Sequence, residues 1–364
     1  MTPSSLPHSS EAAASTLVTW SDPARQTAFE RWLAPLAVQH GLAPESLRPA
    51  SADASFRRYL RVDALHSPKT TLSLIVLDAP PPQEDVRPFM AVADLAARAG
   101  LHVPAVLAAD AERGFLLLSD LGNSLYLDAL QEATAAQADR LMRDAIRALV
   151  QWQVEIPADA LPPFTDALLE RDLALFPEWC VAREYGRVWS AADQQTYRGI
   201  CDVLVASAQA QPRVAVHRDW MPRNLMLADP NPGILDFQDA VAGPIAYDMA
   251  SMLRDAFLSW DEEREIDWAV RYWEAARRAA LPVGNDFGEF WRQLEWMGLQ
   301  RHLKVLGIFC RLKHRDGKPK YSEDLPRFFA YATKVASRYR ELVPLVELLE
   351  PLSGFERVEA FSMR

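Results

Sequence analysis

The segment 214–240, VAVHRDWMPRNLMLADPNPGILDFQDA, constrains the possible folds of this chain more than any other. Two short apolar runs, 214–216 and 233–235, lie on either side of a strongly polar stretch. The order of residue types predicts a strand, a polar loop, a short strand at 225–228, a turn at 229–233, and a last strand followed by an acid. Alternation of this kind holds loop side chains on a rigid hairpin, where binding and catalytic residues are commonly found.

The polar stretch contains HRDWMPRN, in which Asp219 and Asn224 are five residues apart, and DFQ begins at Asp236, twelve residues later. This arrangement resembles the catalytic segment of the protein-kinase-like fold, where H-R-D-x-x-x-x-N and D-F-G occur in this order. HRDWMPRN matches the first motif at every fixed position, and DFQ stands where DFG would be expected. The resemblance implies that Asp219 is the catalytic aspartate and that Asn224 and Asp236 bind Mg²⁺.

The chemistry of phosphoryl transfer accounts for these residue types. The transferred group spreads negative charge over its oxygens, so catalysis depends mainly on positioning and charge neutralisation. Mg²⁺ prefers oxygen ligands, which Asn224 and Asp236 can supply together with phosphate oxygens. A carboxylate such as Asp219 can orient the attacking hydroxyl group. Alternatively, HRD is an ordinary polar turn and Asp236 simply ends a strand, but the joint spacing between apolar runs favours a kinase-like site.

The composition is that of an ordinary globular protein, with 364 residues of which 49% are hydrophobic and 24% charged. The net charge of -10 argues against a nucleic-acid-binding surface. Cys180, Cys201 and Cys310 are widely spaced, which suits free thiols in a reducing cytoplasm and not a disulfide or zinc site. No apolar run approaches the roughly 18 residues of a membrane-spanning helix. Residues 1–20 lack the features of a signal peptide and are predicted to form a disordered tail.

Residues 21–120 are predicted to form a small lobe built on an antiparallel sheet. An amphipathic helix at 22–41 is followed by three strands within 47–77, and SADASFRRY joins the first two strands. In kinase-like folds this turn covers the nucleotide phosphates, usually through glycine amides, but here it has no glycine. The predicted nucleotide-binding residues of the turn are Ser55, Phe56, Arg57 and Arg58. Either arginine could lend positive charge to the phosphates, or both could be solvated strand ends.

The third strand lacks the lysine that the family uses to hold the α- and β-phosphates. Its register gives IVLDAP, with Asp78 at the position where V-A-I-K has its lysine, and Lys69 comes too early. The phosphate clamp is therefore left to one of the two arginines of the turn, or the function is lost. Glu84 and Asp85 are predicted to cap a helix at 86–99, and without the lysine we expect these acids to act as helix-dipole partners.

A predicted hairpin over 103–118 leads into the sequence LLLSDLG. In related small-molecule kinases the segment after such a strand is the hinge between the lobes, and its backbone binds adenine. We therefore expect Ser119, Asp120 and Leu121 to bind the adenine ring. Residues 121–364 are then expected to form a large helical lobe with the catalytic loop and the sugar site.

Helical spacing dominates after residue 125, and the predicted helices are 134–155, 164–185, 191–209, 262–279, 286–309, 324–340 and 343–349. Thr134 and Gln137 have the form of a capping box at the start of the first of these. Gly243 and Pro244 follow Asp236 within eight residues, and another helix then begins. This link is too short for an activation loop, which argues against a phosphorylation-switched protein kinase.

Several residues of the helical lobe are candidates for substrate binding or for support of the catalytic loop. Trp220 adjoins Asp219 and is predicted either to stack on a sugar or to pack in the core. One helix face carries Gln300, Arg301, Lys304 and, further on, Arg311. This face is expected to be solvated, or alternatively to bind an anionic group of the substrate. Asp248 lies where related proteins brace the catalytic loop through backbone amides, and we expect Asp248 and His217 to have this structural role.

The plan of the whole chain resembles the aminoglycoside phosphotransferase and choline kinase family over roughly residues 45–340. The resemblance implies an α+β, protein-kinase-like two-lobed fold, with a small antiparallel-sheet N-lobe and a large helical C-lobe. It also implies ATP and Mg²⁺ as cofactors and a small molecule as the phosphate acceptor.

Within this family, DASFRRY, IVLDAPP, LLLSDLG, HRDWMPRNLM and QRHLKVLGIFCRLKHRDGKPKY are similar to the anomeric amino-sugar kinases of bacterial cell-wall recycling. The similarity implies phosphorylation of the C1 hydroxyl of N-acetylmuramate, N-acetylglucosamine or both, with the missing lysine as a trait of the subfamily. We expect a cytoplasmic monomer without nucleic-acid or membrane partners. The lactyl carboxylate of N-acetylmuramate would need a cation, and the predicted substrate-binding residues are Trp220, Arg223, Arg301 and Lys304.

Two alternatives to an amino-sugar kinase stay open at this point. The first is a kinase of the same fold for another acceptor, such as an aminoglycoside, choline or an amino acid. The second is a nucleotide-binding pseudokinase, which the absent lysine suggests and the intact Asp219, Asn224 and Asp236 oppose.

Overall fold

The computed structural model describes residues 18–50, 56–67 and 70–353, apart from the side chains of 65–67, 70 and 71. The described chain divides into two compact units. The first unit extends to Asp94 and includes Pro104–Leu121, and the second comprises Leu95–Val103 and the chain from Gly122 onwards. A five-stranded antiparallel sheet lies in the first unit, and the second is mainly helical, which is the expected α+β class.

The predicted N-lobe of 21–120 includes Leu95–Val103, but this segment packs with the second unit. Gln151 Nε2 donates a hydrogen bond to the Ala99 carbonyl at 2.8 Å. The backbone N–H of Ile234 donates to the His102 carbonyl, also at 2.8 Å. These partners are distant in sequence, so a local pattern could not have assigned the segment to the second unit.

The first unit consists of a helix packed on a sheet, with a second helix that continues into the second unit. Its elements are α1 (Pro23–His40), β1 (Leu42–Pro49), β2 (Arg58–Ser67), β3 (Thr70–Asp78), α2 (Arg87–Arg98), β4 (Val106–Asp110) and β5 (Phe115–Ser119). The strand order is β1-β2-β3-β5-β4, and every neighbouring pair is antiparallel. The strands predicted within 47–77 are confirmed, although β1 begins earlier than expected.

The predicted first helix is confirmed, and its apolar side chains form the core of the first unit. The Asp22 side chain accepts a hydrogen bond from the Ala24 N–H at 2.8 Å, and Gly41 ends the helix in the left-handed conformation. The buried core residues are Phe29, Leu33, Leu42, Leu60, Val62, Ala64, Val76, Phe115 and Leu117. Val18 and Trp20 pack against this core, so the predicted tail of 1–20 is too long at its C-terminal end.

The second unit contains nine α-helices and four strands among its described residues. The helices are α3 (Tyr126–Gln131), α4 (Ala135–Glu155), α5 (Asp166–Leu175), α6 (Ala191–Ala210), α7 (Tyr247–Leu253), α8 (Glu262–Arg278), α9 (Phe287–His314), α10 (Leu325–Ala336) and α11 (Val343–Ser353). The strands are β6 (Arg213–Val216), β7 (Leu225–Met226), β8 (Gly233–Ile234) and β9 (Val241–Pro244). The predicted helix at 164–185 is in fact α5 followed by a π-helix at Phe176–Glu184. The predicted capping box of Thr134 and Gln137 is confirmed at the start of α4.

Two small antiparallel pairs hold the segment that the sequence analysis singled out. β7 pairs with β8, as the hairpin pattern predicts, whereas β6 pairs with β9. β9 was not predicted, because 241–244 contains glycine and proline and looks like a loop in the sequence. The two pairs fix both ends of the polar loop that carries Asp219 and Asn224.

The long helix α9 is largely buried and packs closely on the end of α5. A Cβ atom added at Gly307 would lie 2.4 Å from the carbonyl carbon of Leu175, so only glycine allows this approach. The position of α9 matters for the site described below, because α9 carries Arg301 and Lys304. Among the described residues, no helix combines the length and the apolar character needed to cross a membrane.

His302 on α9 makes the stability of the fold sensitive to acid. It is buried between the rings of Phe328 and Tyr331, and burial lowers its pKa to about 3. Below pH 6.5 the unfolded chain takes up a proton that the folded protein does not, so the free energy of unfolding falls as the pH falls towards 3. We expect His302 to account for a loss of about 2 kcal/mol between pH 7.5 and pH 5. Urea unfolding of wild type and His302→Phe at both values measures this; an equal loss in both proteins would contradict it.

Candidate active site

The backbone of the predicted catalytic loop, residues 217–224, is strained at the residue before Asp219 and is held there by Asp248. Arg218 has a φ of 78°, a conformation that non-glycine residues rarely adopt. The buried Asp248 carboxylate accepts hydrogen bonds from the N–H groups of His217, at 2.7 Å, and Arg218, at 2.9 Å. Burial raises the pKa of Asp248 to about 7, although the two backbone hydrogen bonds act in the opposite direction. This is the geometry that the predicted brace requires.

His217 joins the catalytic loop to the residues that follow β8. Its Nε2 lies 3.0 Å from the Leu235 carbonyl oxygen, and since a carbonyl can only accept, we assign the proton to Nε2. Nδ1 is then free to accept the N–H of Asp219, at 3.3 Å. Burial lowers the pKa of His217 to about 4, so the ring is neutral near pH 7 and suits this pattern. His217 is thus a structural link between two parts of the site.

The Asp219 carboxylate is partly exposed, with 37% of its side-chain surface accessible to solvent. Partial removal from water acts to raise its pKa, but the positive charges of Lys304, Arg301 and Arg218 outweigh this effect and lower the pKa of Asp219. Arg301 lies within ion-pair distance, with Nη2 3.9 Å from Oδ1 of Asp219. Asp219 is therefore ionised at neutral pH and able to accept a hydrogen bond from a hydroxyl group.

Asn224 and Asp236 lie side by side, and Asn224 also contacts the backbone of Asp219. Asn224 Nδ2 donates to the Asp219 carbonyl at 2.9 Å and lies 3.4 Å from Oδ2 of Asp236. Asp236 has a φ of 61°, a second strained position in the site. Gln238 Nε2 donates to Oδ1 of Asp236 at 2.8 Å and so fixes the direction of the carboxylate.

The chemistry of this pair fits a magnesium ion. An amide oxygen and a carboxylate are both hard oxygen ligands, and Asp236 is oriented by Gln238 so that it needs little rearrangement to bind. No group of three or more His, Cys, Asp or Glu side chains suited to a metal occurs in the described chain. An ion held here would take its other ligands from phosphate oxygens and water, as Mg²⁺ commonly does in phosphoryl-transfer enzymes.

Trp220 belongs to the core and not to a sugar-binding surface. Its ring is fully buried and packs on Trp152, with centroids 6.1 Å apart, and edge-on against His217 at 5.4 Å. A ring enclosed in this way has no face to offer to a sugar. Of the two predictions for Trp220, packing is therefore right and stacking is wrong.

The predicted solvated face of α9 is also wrong, because Gln300, Arg301 and Lys304 face other parts of the second unit and not water. Gln300 and Arg301 are buried, and Arg301 Nη1 donates to the Arg218 carbonyl at 2.9 Å. Lys304 Nζ lies 3.0 Å from Oδ2 of the buried Asp172 on α5. Helical periodicity could not reveal this arrangement, since a stripe of polar residues on a helix usually faces water.

Arg223 differs from these cations because it is exposed. It lies in the short 3₁₀ turn Pro222–Asn224, next to the predicted metal-binding Asn224. Its guanidinium group lies 5.2 Å from the centre of the Phe257 ring. No carboxylate of the described residues is recorded within ion-pair distance of Arg223.

Two arginines of the predicted nucleotide-covering turn have different partners in the first unit. Arg58 lies opposite Asp78 in the sheet, donates two hydrogen bonds to it, and extends over the Trp20 ring. Arg57 Nε instead lies 2.7 Å from Oε2 of Glu84. Glu84 precedes α2 by three residues and pairs with Arg57, so the expected role is wrong for Glu84. Asp85 does cap the helix, since its Oδ1 accepts the Arg87 N–H at 3.0 Å.

The position of the missing lysine is occupied by a buried acid with two arginine partners. Asp78 is 1% exposed and accepts hydrogen bonds from Arg25 Nε, at 3.0 Å, and Nη2, at 2.5 Å, as well as from Arg58. Arg25 comes from α1 and also donates to the Arg113 carbonyl. The sequence offered no signal for Arg25, because the pairing joins residues 53 positions apart.

The other residues predicted to bind the nucleotide differ in their exposure and in their hydrogen-bond partners. Phe56 is 67% exposed, and Ser55 lies outside the described residues. Ser119 Oγ accepts the Ala105 N–H at 2.8 Å. Asp120 accepts hydrogen bonds from Arg61 and Ser73 within the sheet, so its side chain has a structural partner. Leu121 ends the first unit.

The hydrogen bond between Gln238 and Asp236 is a contact of the candidate site that the sequence motifs did not predict. Gln238 occupies the glycine position of D-F-G, and this departure from the motif was the available signal. A glutamine two residues after an acid can reach back to it, whereas a glycine cannot.

Relatives with assigned names cover most of this chain. A protein from Pseudomonas putida, named N-acetylmuramate/N-acetylglucosamine kinase, is 51% identical over 86% of this chain and 90% of its own length. A protein of the same name from Neisseria meningitidis serogroup B is 46% identical over 92% of this chain and 98% of its own length.

Solved structures share the fold at low sequence identity. An ADP-bound aminoglycoside phosphotransferase has a TM-score of 0.55 and 13% identity, covering 84% of this chain and 98% of that one. A choline kinase from Cryptosporidium parvum has a TM-score of 0.58 and 9% identity, covering 88% of this chain and 99% of that one. These similarities confirm the predicted protein-kinase-like, two-lobed α+β fold.

The family model described as "Phosphotransferase enzyme family" matches residues 46–287, which is well over half of the 364 residues. The matched region contains Asp219, Asn224 and Asp236 together with the strands that hold them. This chain therefore belongs to the phosphotransferase enzyme family.

Proposed function

We propose that this protein is an ATP-dependent kinase that phosphorylates the anomeric C1 hydroxyl of N-acetylmuramate, N-acetylglucosamine or both. The observation that carries the proposal is that Asn224 Nδ2 lies 2.9 Å from the backbone carbonyl of Asp219 and 3.4 Å from Oδ2 of Asp236, which brings the three residues together. This geometry joins a hydroxyl-orienting carboxylate to a pair of magnesium-type ligands. The sugar class is supported by relatives at 46–51% identity that bear the name N-acetylmuramate/N-acetylglucosamine kinase.

In the proposed reaction Asp219 accepts the hydrogen bond, and then the proton, of the anomeric hydroxyl. A bond forms between the anomeric oxygen and the γ-phosphorus of ATP, and the bond from that phosphorus to the β,γ-bridging oxygen breaks. The products are sugar 1-phosphate and ADP. The 37% exposure of the Asp219 side chain leaves room for the hydroxyl, and the lowered pKa of Asp219 keeps it ionised before the transfer.

We assign Asn224 and Asp236 as the residues that would hold Mg²⁺. When bound, the ion neutralises charge on the transferring phosphate. The residues of the chain prepare this site: Gln238 orients the Asp236 carboxylate, and the hydrogen bond from Asn224 to the Asp219 carbonyl sets the position of the amide.

We place the reaction in the cytoplasm, where free buried thiols such as Cys180 and Cys310 would persist, and we expect a monomer.

We propose Arg57, and not Arg58, as the cation that replaces the strand lysine at the nucleotide phosphates. Arg57 pairs with Glu84 at 2.7 Å, and a cation held by a glutamate is the combination that kinases use at this position. Arg58 is engaged by Asp78 and by the Thr19 carbonyl, which hold it at the end of the sheet. The residues 119–121 remain our proposal for the adenine site.

We propose Arg223 as the residue that binds the carboxylate of N-acetylmuramate. Of the three predicted cations, Arg301 and Lys304 are turned inwards to the Arg218 carbonyl and to Asp172. Arg223 is exposed and belongs to the same short turn as Asn224, between the two residues that carry the chemistry. A planar guanidinium also matches a carboxylate well.

³¹P NMR of the purified protein with Mg·ATP and each sugar in turn tests the proposed function. We expect a new phosphate resonance coupled to the anomeric proton, together with the resonances of ADP. ADP with no sugar phosphate would reject the sugar and point to another hydroxyl acceptor. Neither product nor ATP loss, for a protein that still binds Mg·ATP, would favour a nucleotide-binding module instead of an enzyme.

A further inference from the structure

Arg301 lies on α9, which is distant in sequence from the catalytic loop, yet its side chain contacts that loop. It is 6% exposed, and Nη1 donates to the Arg218 carbonyl at 2.9 Å. The central carbon of its guanidinium lies over the buried Tyr247 ring, 4.9 Å from the ring centre. Tyr247 directly precedes Asp248, so one arginine contacts both the catalytic loop and the start of the helix that braces it.

The carbonyl that Arg301 holds belongs to the peptide group immediately before Asp219. The other end of the same peptide group, the Asp219 N–H, donates to Nδ1 of His217 at 3.3 Å. The preceding peptide N–H, that of Arg218, is held by Asp248 at 2.9 Å. Asp248 and His217 therefore accept hydrogen bonds from the N–H groups of residues 217–219, whereas Arg301 donates to the carbonyl of Arg218. With both ends of the peptide group held, the direction of the Asp219 Cα–Cβ bond is set.

The strained φ of 78° at Arg218 explains why three supports are needed. A non-glycine residue keeps this conformation only when the surrounding structure determines it. Without a donor at its carbonyl, the peptide group of 218–219 could rotate and relieve the strain. Asp219 would then point away from the position that the attacking hydroxyl occupies.

We propose that Arg301 is a positioning residue for phosphoryl transfer, which holds the peptide group before Asp219 and thereby aims its carboxylate. The proposal rests on the proposed function for its kinetic consequence, but the contacts that motivate it do not depend on the identity of the acceptor. Arg301 lies beyond residue 287, where the family model ends, so this support comes from a part of the chain that the model does not cover.

A role in direct substrate binding fits Arg301 less well. Its side chain is 7% exposed, and its guanidinium already contacts the Arg218 carbonyl and the Tyr247 ring. A substrate carboxylate would have to displace one of these contacts. The two roles make different predictions, because loss of a substrate contact raises KM and loss of positioning lowers kcat.

The first experiment compares steady-state kinetics of wild type, Arg301→Met and Arg301→Lys. We expect Arg301→Met to lower kcat about 100-fold, since a displacement of the order of 1 Å at a reacting group can have that effect. KM for ATP and for the sugar should stay within about threefold of wild type. Arg301→Lys keeps one donor within reach of the carbonyl, and we expect it to recover kcat to within about tenfold of wild type.

The control is Arg338→Met, which makes the same substitution elsewhere in the second unit, where the arginine pairs with the buried Glu295 carboxylate. Arg338 pairs with Glu262 and Glu295 and is not recorded in contact with the catalytic loop among the described residues. We expect this variant to lose stability but to keep the kcat of the folded protein. An unchanged kcat in Arg301→Met, or a raised KM for the sugar at unchanged kcat, would overturn the positioning role.

Hydrogen–deuterium exchange gives a readout that needs no turnover. In Arg301→Met, peptides covering residues 217–224 should exchange at least tenfold faster than in wild type, while peptides from α4 stay unchanged. Arg338→Met should leave the catalytic-loop peptides protected. Unchanged protection in Arg301→Met would reject the proposal even if wild type formed no sugar phosphate, and that absence of product would separately reject the proposed function.

Discussion

Asp219→Asn is expected to lower turnover by about 10³-fold or more while leaving the affinity for Mg·ATP nearly unchanged. The amide has the same size and can keep its place in the loop, but it cannot take the proton of the attacking hydroxyl. Nucleotide binding should survive because Asn224 and Asp236 are intact in the variant. Release of ADP in a coupled assay measures turnover, and isothermal titration calorimetry with Mg·ATP measures affinity.

Asp202→Asn serves as the control for this substitution. Asp202 is an exposed acid on α6, and the same chemical change there removes one negative charge from the second unit. We expect its turnover to stay within about twofold of wild type. If Asp219→Asn turned over at a comparable rate, the assignment of Asp219 to the proton transfer would be wrong.

Asp78→Asn is expected to destabilise the protein by about 3 kcal/mol, near the lower end of the range for breaking a buried ion pair. The side chains of Asp78 and Arg25 are 2% and 16% exposed, so Arg25 would keep a charge with little access to water. Arg58 is 34% exposed and can be hydrated in part, which limits the loss. Urea unfolding of the two proteins at pH 7.5 gives the difference in the free energy of unfolding.

Asp78→Lys is expected to destabilise the protein more than Asp78→Asn does, although it introduces the lysine that other kinases have at this position. A third cation beside Arg25 and Arg58 would be buried without a partner, and we expect a loss of about 5 kcal/mol or more. The surface control is Asp85→Asn, whose side chain is 52% exposed and whose pair with Arg87 should contribute about 1 kcal/mol or less. A loss at Asp78 no larger than the loss at Asp85 would show that the buried cluster does not hold the sheet.

The parts of the fold that follow from local signals were predicted correctly. Asp22 and Gly41 mark the ends of α1, and the capping box of Thr134 and Gln137 starts α4, because a cap depends on residues only a few positions away. The catalytic segment was equally accessible, since the spacing of Asp219, Asn224 and Asp236 is itself a sequence pattern. The structure brings these three residues together as that spacing requires.

The predictions that were wrong or missing concern features that depend on contacts between residues distant in sequence. β9 exists because β6 offers it a partner, although Gly243 and Pro244 are residue types depleted in strands. Periodicity predicts a solvated polar face for α9, because it cannot distinguish a polar face that meets water from one that meets a buried carbonyl. Trp220 adjoins Asp219, yet a neighbour in sequence can point to the opposite side of the backbone, and here it enters the core.

The ion pair between Arg25 and Asp78 bears on how the protein can be shortened for study. The family match begins at residue 46, but α1 contributes Phe29 and Leu33 to the core of the sheet and Arg25 to its buried acid. A fragment trimmed to the matched residues would expose one face of the sheet and leave Asp78 with Arg58 alone. At the other end it would lose most of α9, including Arg301. The smallest fragment that retains these contacts begins before α1 and continues through α9.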